Sequence, residues 1–368
     1  MGSLFYRGAL HFATGDFLFR IFFLPVNGSG MGHMSRCLAY ARCLRGRASS
    51  VFFSLSSAVE FIEEMGFAAD YFVSPFWSCN NTYDWNCELA VRFGMLLERV
   101  RPDVVVFDGT WPFQGFLAAC RAYGHPLKMV WSNRGLLKKD AKVVPVDESL
   151  FDLIIQPGEL GTAYNETAMP SGGKKITVPP VTLLDDNELL PKAEARRRLG
   201  LMPQGRYVLF SLGPGNLKDV SGMGHELVRR FQEEGFAVVW ACAPISVRDV
   251  VLPSIVQSIS VYPLIRYFKA FDVFVGAAGY NTCCEVAQTQ IPSLLVPNTL
   301  LADDQTARAR LLATHAPVVV SSCETAQECQ AAVLELRELA ENRRSTSPSL
   351  IMNGAALAAE AMLRLAQH

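Results

Sequence analysis

The stretch Asp272–Gln305, D-V-F-V-G-A-A-G-Y-N-T-C-C-E-V-A-Q-T-Q-I-P-S-L-L-V-P-N-T-L-L-A-D-D-Q, decides how the rest of the chain is read. Its opening run, Asp272 to Gly276, is short, apolar and bounded by turn residues, as a strand buried on both faces would be. Ala277, Ala278 and Gly279 follow, small enough for a ligand to approach the backbone. Asn281 and Thr282 are good cap residues, so the sequence predicts a helix starting there, with its amide end turned to that ligand. Glu285 stands one turn further on, on the face of Asn281. A second apolar strand, Ser293 to Pro297, leads to Asp303, Asp304 and Gln305 at the start of another helix. Two neighbouring strand ends thus offer a small-residue anion loop, a carboxylate and an acid–amide pair. In an open α/β sheet that crevice is where nucleotides sit.

Working outward, 368 residues suffice for two domains. Half of them are hydrophobic and the formal net charge is -1, which argues for large cores and against nucleic acid as a partner. The ten cysteines show neither a C-x-x-C pair nor Cys/His ligand spacing, and read as reduced thiols of a cytoplasmic protein. No apolar run approaches the ~20 residues of a membrane span. Leu4 to Leu24 is rich in Phe and Leu, but Arg7, His11, Asp16 and Arg20 interrupt it. It reads as a lead-in to the first strand rather than a signal peptide. Peripheral docking on a membrane surface through Phe5, Tyr6, Phe12 and Phe17 is the minority reading.

The first strand, Ile21 to Val26, runs into N-G-S-G-M-G-H and then a helix with apolar residues at Met34, Leu38, Ala41 and Leu44. Gly28, Gly30 and Gly32 lack the dinucleotide spacing, and the Lys and Ser/Thr of a phosphate loop are missing. His33, where loop becomes helix, either faces the cleft or packs the turn. Arg36 either meets an anionic group or is solvated. Val51 to Leu55 reads as a strand, Ala58 to Met65 as a helix and Pro75 to Trp85 as a loop. The buried run after Pro102 ends at Asp108, where an acid at a strand's carboxyl end points to the crevice of His33. A carboxylate that orients a histidine ring makes a general base, although Asp108 could instead cap the next helix. Leu127 to Trp131 and Asp152 to Gln156 read as strands. Between them Arg134, Lys138, Lys139 and Lys142 form either a solvated face or a contact to acceptor or lipid phosphates.

Val178 to Pro191 reads as a linker, and a second set of alternating strands and helices follows it. The strands are Arg206 to Leu212, Ala237 to Ala241, Ile259 to Pro263 and Val318 to Ser322; the helices are Gly222 to Glu234 and Leu264 to Ala270. The G-P-G-N loop from Gly213 to Asn216 opens toward the crevice, and an apolar-striped helix, Leu350 to Ala366, closes the chain. The predicted division is residues 1–185, 186–349 and a last helix, 350–368, packing back across the linker.

Two doubly wound halves, the glycine loop ending in His33, and G-x-N-T-x-x-E with D-Q form a recognisable set. The chain resembles GT-B nucleotide-sugar glycosyltransferases, an α/β fold of two Rossmann-like domains facing a central cleft. It is most similar to those grouped with the bacterial peptidoglycan N-acetylglucosaminyltransferase, and more distantly to plant and animal UDP-sugar transferases. The resemblance covers Ile21 to the end and is strongest over Ser260 to Leu312. It implies that Glu285 holds the ribose hydroxyls and that Ala277, Ala278, Gly279, Tyr280, Asn281 and Thr282 place amides on the diphosphate. It also implies that Asp304 and Gln305 meet the donor sugar, and that Leu264 and Ile265 read the uracil edge through their backbone. Gly30, Gly32 and His33 would face the acceptor and the donor phosphates, and Gly213 the same crevice. The histidine of the eukaryotic signature is absent near Ala277. No metal and no further cofactor is implied.

The expected activity is inverting transfer of a sugar, N-acetylglucosamine or another hexose, from a UDP-sugar to an acceptor hydroxyl in glycan or glycoconjugate synthesis. His33 and Asp108 would be the catalytic pair, and the acceptor, left open, could be lipid-linked and met at the inner membrane face. The alternatives are a UDP-sugar 2-epimerase-like enzyme and a non-catalytic nucleotide-sugar-binding subunit.

Overall fold

The computed structural model describes residues 18–26, 30–133, 136–138, 144–159, 174–213, 221–242, 245, 253–298, 303–342 and 352–367. Thirteen strands among them form two parallel sheets. In the first, β1 (Arg20–Pro25), β2 (Ser49–Ser54), β3 (Ala68–Tyr71), β4 (Val104–Asp108), β5 (Lys128–Ser132), β6 (Leu153–Pro157) and β7 (Lys175–Val178) lie in the order β3-β2-β1-β4-β5-β6-β7. In the second, β8 (Tyr207–Ser211), β9 (Ala237–Ala241), β10 (Gln257–Ile259), β11 (Val273–Ala277), β12 (Ser293–Val296) and β13 (Val318–Val320) lie in the order β10-β9-β8-β11-β12-β13. The order reverses beside β1 in one sheet and β8 in the other, so each has a switch point where a crevice opens at the strand carboxyl ends. The central strands, such as Val104–Asp108 and Val273–Ala277, are buried along their whole length, as two helix-covered faces require.

Helices α1 (Gly32–Cys43), α2 (Glu60–Glu64), α3 (Thr82–Val100) and α4 (Gln114–Ala122) belong to the first unit. Helices α5 (Lys192–Arg198), α6 (Ser221–Glu233), α7 (Tyr280–Thr289), α8 (Gln305–Ala313) and α9 (Ala326–Glu341) belong to the second. The last, α10 (Ala355–Ala366), follows the second unit in sequence but packs on α1 and on strands of the first sheet. Its small residues Ala355, Ala358, Ala359 and Ala361 are buried against that seam. Gly354 starts the helix against the linker: a Cβ there would lie 2.1 Å from the Pro179 carbonyl oxygen, so only glycine fits without displacement.

The predicted Pro75 to Trp85 loop is cut short by α3, which begins at Thr82 because the Asn81 side chain caps it, accepting from the Asp84 amide at 2.9 Å. Trp85, Leu89, Phe93, Leu96, Leu97 and Val100 form its buried stripe. The predicted strand Ile259 to Pro263 is shorter and earlier, Gln257–Ile259. The helix expected at Asn281 and Thr282 starts at Tyr280, with Gly279 in the cap position. No disulfide joins any of the ten cysteines, and no helix among the described residues is long and apolar enough to cross a membrane.

Candidate active site between the two units

Strand β4 ends in Asp108 and α1 begins at Gly32, placing Asp108 beside His33 and Arg36. All three are buried, Asp108 completely. His33 Nδ1 lies 2.6 Å from Asp108 Oδ1; with an ionised carboxylate as partner, that nitrogen carries the proton and donates it. Arg36 grips the same carboxylate with two groups, Nε to Oδ2 at 2.7 Å and Nη2 to Oδ1 at 2.5 Å. Burial by itself would raise the Asp108 carboxyl, but the Arg36 charge and the hydrogen bonds from both partners outweigh it and hold it at about 2. Asp108 is therefore an anion throughout the working range. Of the two readings of Arg36, the structure selects the anionic group, and that group is the protein's own.

Across the seam, α7 starts without a side-chain cap, and so does α1, whose cap position is Met31. The two amino ends meet: Asn281 Nδ2 donates to the Gly32 carbonyl at 3.3 Å, and a Cβ on Gly32 would lie 3.7 Å from Asn281 Oδ1. Asn281 Oδ1 is itself buried without a hydrogen-bond partner. Two uncapped helix ends facing one point make an electropositive seam suited to an anion. Glu285, one turn along α7, keeps part of its surface, yet burial pushes its carboxyl up to about 8. A carboxyl so raised costs the fold nothing while protonated below its ordinary value. It makes folding less favourable as pH climbs from there to about 8.

Other predicted residues take distinct places. Tyr280 is deep in the seam: its hydroxyl donates to the Gly158 carbonyl at 3.0 Å and accepts from the Val181 amide at 3.1 Å, so its side chain braces the units. Asp304 caps α8, accepting from the Ala307 amide at 2.9 Å, and Gln305 Oε1 accepts from the Asn298 amide at 2.9 Å. Ile265 is fully buried. Gly213 adopts φ of 93°, and Thr282, Ala278 and Gly279 line the entry to α7. Gly30 precedes α1, while Gly28, the remainder of the G-P-G-N loop, and Arg134, Lys139 and Lys142 lie outside the described residues.

Sequence reasoning missed the clamp that joins the units. Arg308 on α8 donates to both Glu159 oxygens at 2.9 Å and to both Asp303 oxygens at 3.1 and 2.7 Å. Ser35 and Tyr262 hydroxyls meet at 2.8 Å, and Phe61 packs on Tyr262 at 4.8 Å. Glu159 and Arg308 stand 149 positions apart, so no local pattern could have paired them. Between the clamp and the dyad lies a cavity of about 20 Å³, lined by His33, Gly109, Thr110, Asn133, Leu136, Leu137 and Asp303. That holds about one water and no sugar ring.

Residues 255–362 match the model of the glycosyltransferase family 28 C-terminal domain. No curated protein sequence matches the chain. Among solved structures, the spinosyn forosaminyltransferase SpnP superposes with a TM-score of 0.60 at 17% identity, covering 95% of both chains. MurG of Acinetobacter baumannii gives 0.55 at 14% identity, covering 94% of this chain and 99% of its own. The UDP-GlcNAc 2-epimerase of Methanocaldococcus jannaschii gives 0.59 at 11% identity, covering 95% and 99%. The fold is GT-B, and the family 28 match runs from just before β10 into α10.

Proposed function

We propose that the chain is an inverting glycosyltransferase that moves N-acetylglucosamine or another hexose from a UDP-sugar to an acceptor hydroxyl. The observation that carries this reading is the His33–Asp108 pair, set opposite the uncapped start of α7 on a GT-B fold. His33 Nε2, the nitrogen not held by Asp108, takes the acceptor's proton as the new glycosidic bond forms. Asp108 keeps the ring in the tautomer that leaves that task to Nε2. The amides opening α7 at Gly279, Tyr280, Asn281 and Thr282, with Gly30 and Gly32 across the seam, hold the diphosphate as its charge grows. Glu285 takes the ribose diol, Ile265 lends its backbone to the base, and Gly213 borders the same crevice. The amide end of Gln305 and the Asp304 oxygen not used in capping reach the sugar. The helix ends supply the positive potential, and we assign no metal to the reaction. Closing the two units on bound substrates would exclude bulk water and suppress hydrolysis. The acceptor class includes lipid-linked sugars met at the cytoplasmic membrane face. Likeness to a 2-epimerase supports a second reading, epimerisation of the sugar while it stays on the nucleotide.

Donor binding is tested by calorimetric titration with UDP, dTDP, GDP and ADP. UDP binds most tightly, and Glu285→Ala costs about 1–3 kcal/mol of that binding through lost charge-assisted bonds. Because the diol prefers the carboxylate, UDP binding expels the proton Glu285 holds at neutral pH. Affinity therefore rises with pH and levels off above about 8. Equal affinity for all four nucleotides, or a flat pH profile, contradicts these assignments.

A further inference from the structure

Three donors converge on one carboxylate: the His33 ring N–H and two nitrogens of Arg36, all on Asp108. Arg36 Nη2 also lies 3.2 Å from His33 Nδ1. A ring nitrogen that donates to Asp108 cannot accept from Arg36, so this short approach sets two N–H groups side by side over a shared oxygen. A second positive charge on the imidazole would then face a guanidinium that cannot be neutralised.

We infer that Arg36 is a positioning residue that offsets the charge of Asp108, so that the dyad orients His33 without making it a strong base. The inference rests on the reading of His33 as the proton acceptor. In an isolated His–carboxylate pair the carboxylate raises the ring's proton affinity; here the cation claims the same carboxylate and lowers it again. His33 is thereby kept in the deprotonated form that can take a proton. Among the described residues, the other charged or titratable groups facing this site are Asp303, which lines the cavity with His33 and is held by Arg308 beside Glu159, and the buried phenols Tyr40 and Tyr280. Cys37 lies beneath Arg36 and Asp108. Tyr280 presents its ring 5.6 Å from the Arg36 guanidinium and 5.9 Å from that of Arg308, so the second unit packs directly on the cation that tunes the base.

The test is the titration of the His33 ring by NMR with labelled histidine, its signal identified by loss in His33→Gln, in the full chain and in Arg36→Gln. The amide keeps a hydrogen-bond donor and removes the charge. His33 should titrate about one pH unit higher in that variant. The acid limb of kcat/KM moves with it, so the variant is about tenfold slower on that limb and recovers at higher pH. Arg36→Lys keeps a cation on a single-pronged reach and moves the limb the same way by less. It also guards against an Arg36→Gln chain that fails to fold. A purely structural Arg36 would lower activity equally at every pH and leave the ring titration in place; that result in either folded variant overturns the inference. The NMR titration needs no turnover, so absence of glycosyl transfer would count against the proposed function alone.

Discussion

Arg308→Met lowers the unfolding free energy by about 3–5 kcal/mol, the usual cost of stripping a buried ion pair of one partner. The guanidinium is nearly sealed from solvent, and so are Glu159 and Asp303, whose four carboxylate oxygens it satisfies. Burial alone would lower its proton affinity, but the two carboxylates raise it well beyond the ordinary arginine range. Methionine fills similar volume and removes the guanidinium that both buried acids share. Because Glu159 follows β6 in the first unit and Arg308 belongs to the second, the loss falls on the joint. Chemical denaturation should show a lowered midpoint, and the two units should no longer unfold together. A double change, Arg308→Met with Glu159→Gln, recovers part of the loss by removing one of the two buried like charges. Wild-type stability in the single variant would mean that the clamp is open in solution.

His33→Ala lowers turnover by about 10²-fold or more, while UDP affinity stays within about twofold. The asymmetry follows from position. His33 borders the small cavity beside Asp108, whereas the proposed nucleotide contacts lie along α7. The fold should persist, because Arg36 still neutralises Asp108 with two hydrogen bonds. Steady-state kinetics paired with UDP calorimetry separates the effects. A loss confined to KM, with kcat unchanged, would remove His33 from the proton-transfer role.

Much of the fold was legible because buried parallel strands are unbroken apolar runs, and Asp272 to Gly276 and Val104 to Asp108 are such runs. Helix α3 was harder to read: Tyr83, Val91 and Met95 are exposed on it, so apolar residues on both faces blur its period. The edge strands Ala68–Tyr71 and Lys175–Val178 are four residues each, too short to alternate visibly. At the site, His33 and Asp108 could be paired in advance, since Asp108 ends β4 and His33 opens the helix that follows β1, and the two strands are adjacent. Arg36 could not be resolved between solvent and an anion without knowing which acid lay above it. The Arg308 clamp depends on a contact between units that no spacing encodes. Asn281 shows the reverse: its cap propensity was real, but its side chain reaches across to Gly32 and Gly279 takes the cap position.

The central claim is sugar transfer from a nucleotide donor, and product analysis tests it most directly. The chain is incubated with UDP-N-acetylglucosamine and a panel of sugar and lipid-linked sugar acceptors, and the anomeric configuration of the product is read by NMR. The account predicts acceptor-dependent release of UDP and a glycoside of inverted configuration. A product of retained configuration contradicts single displacement at His33, and a 2-epimerised UDP-sugar formed without any acceptor contradicts transfer altogether.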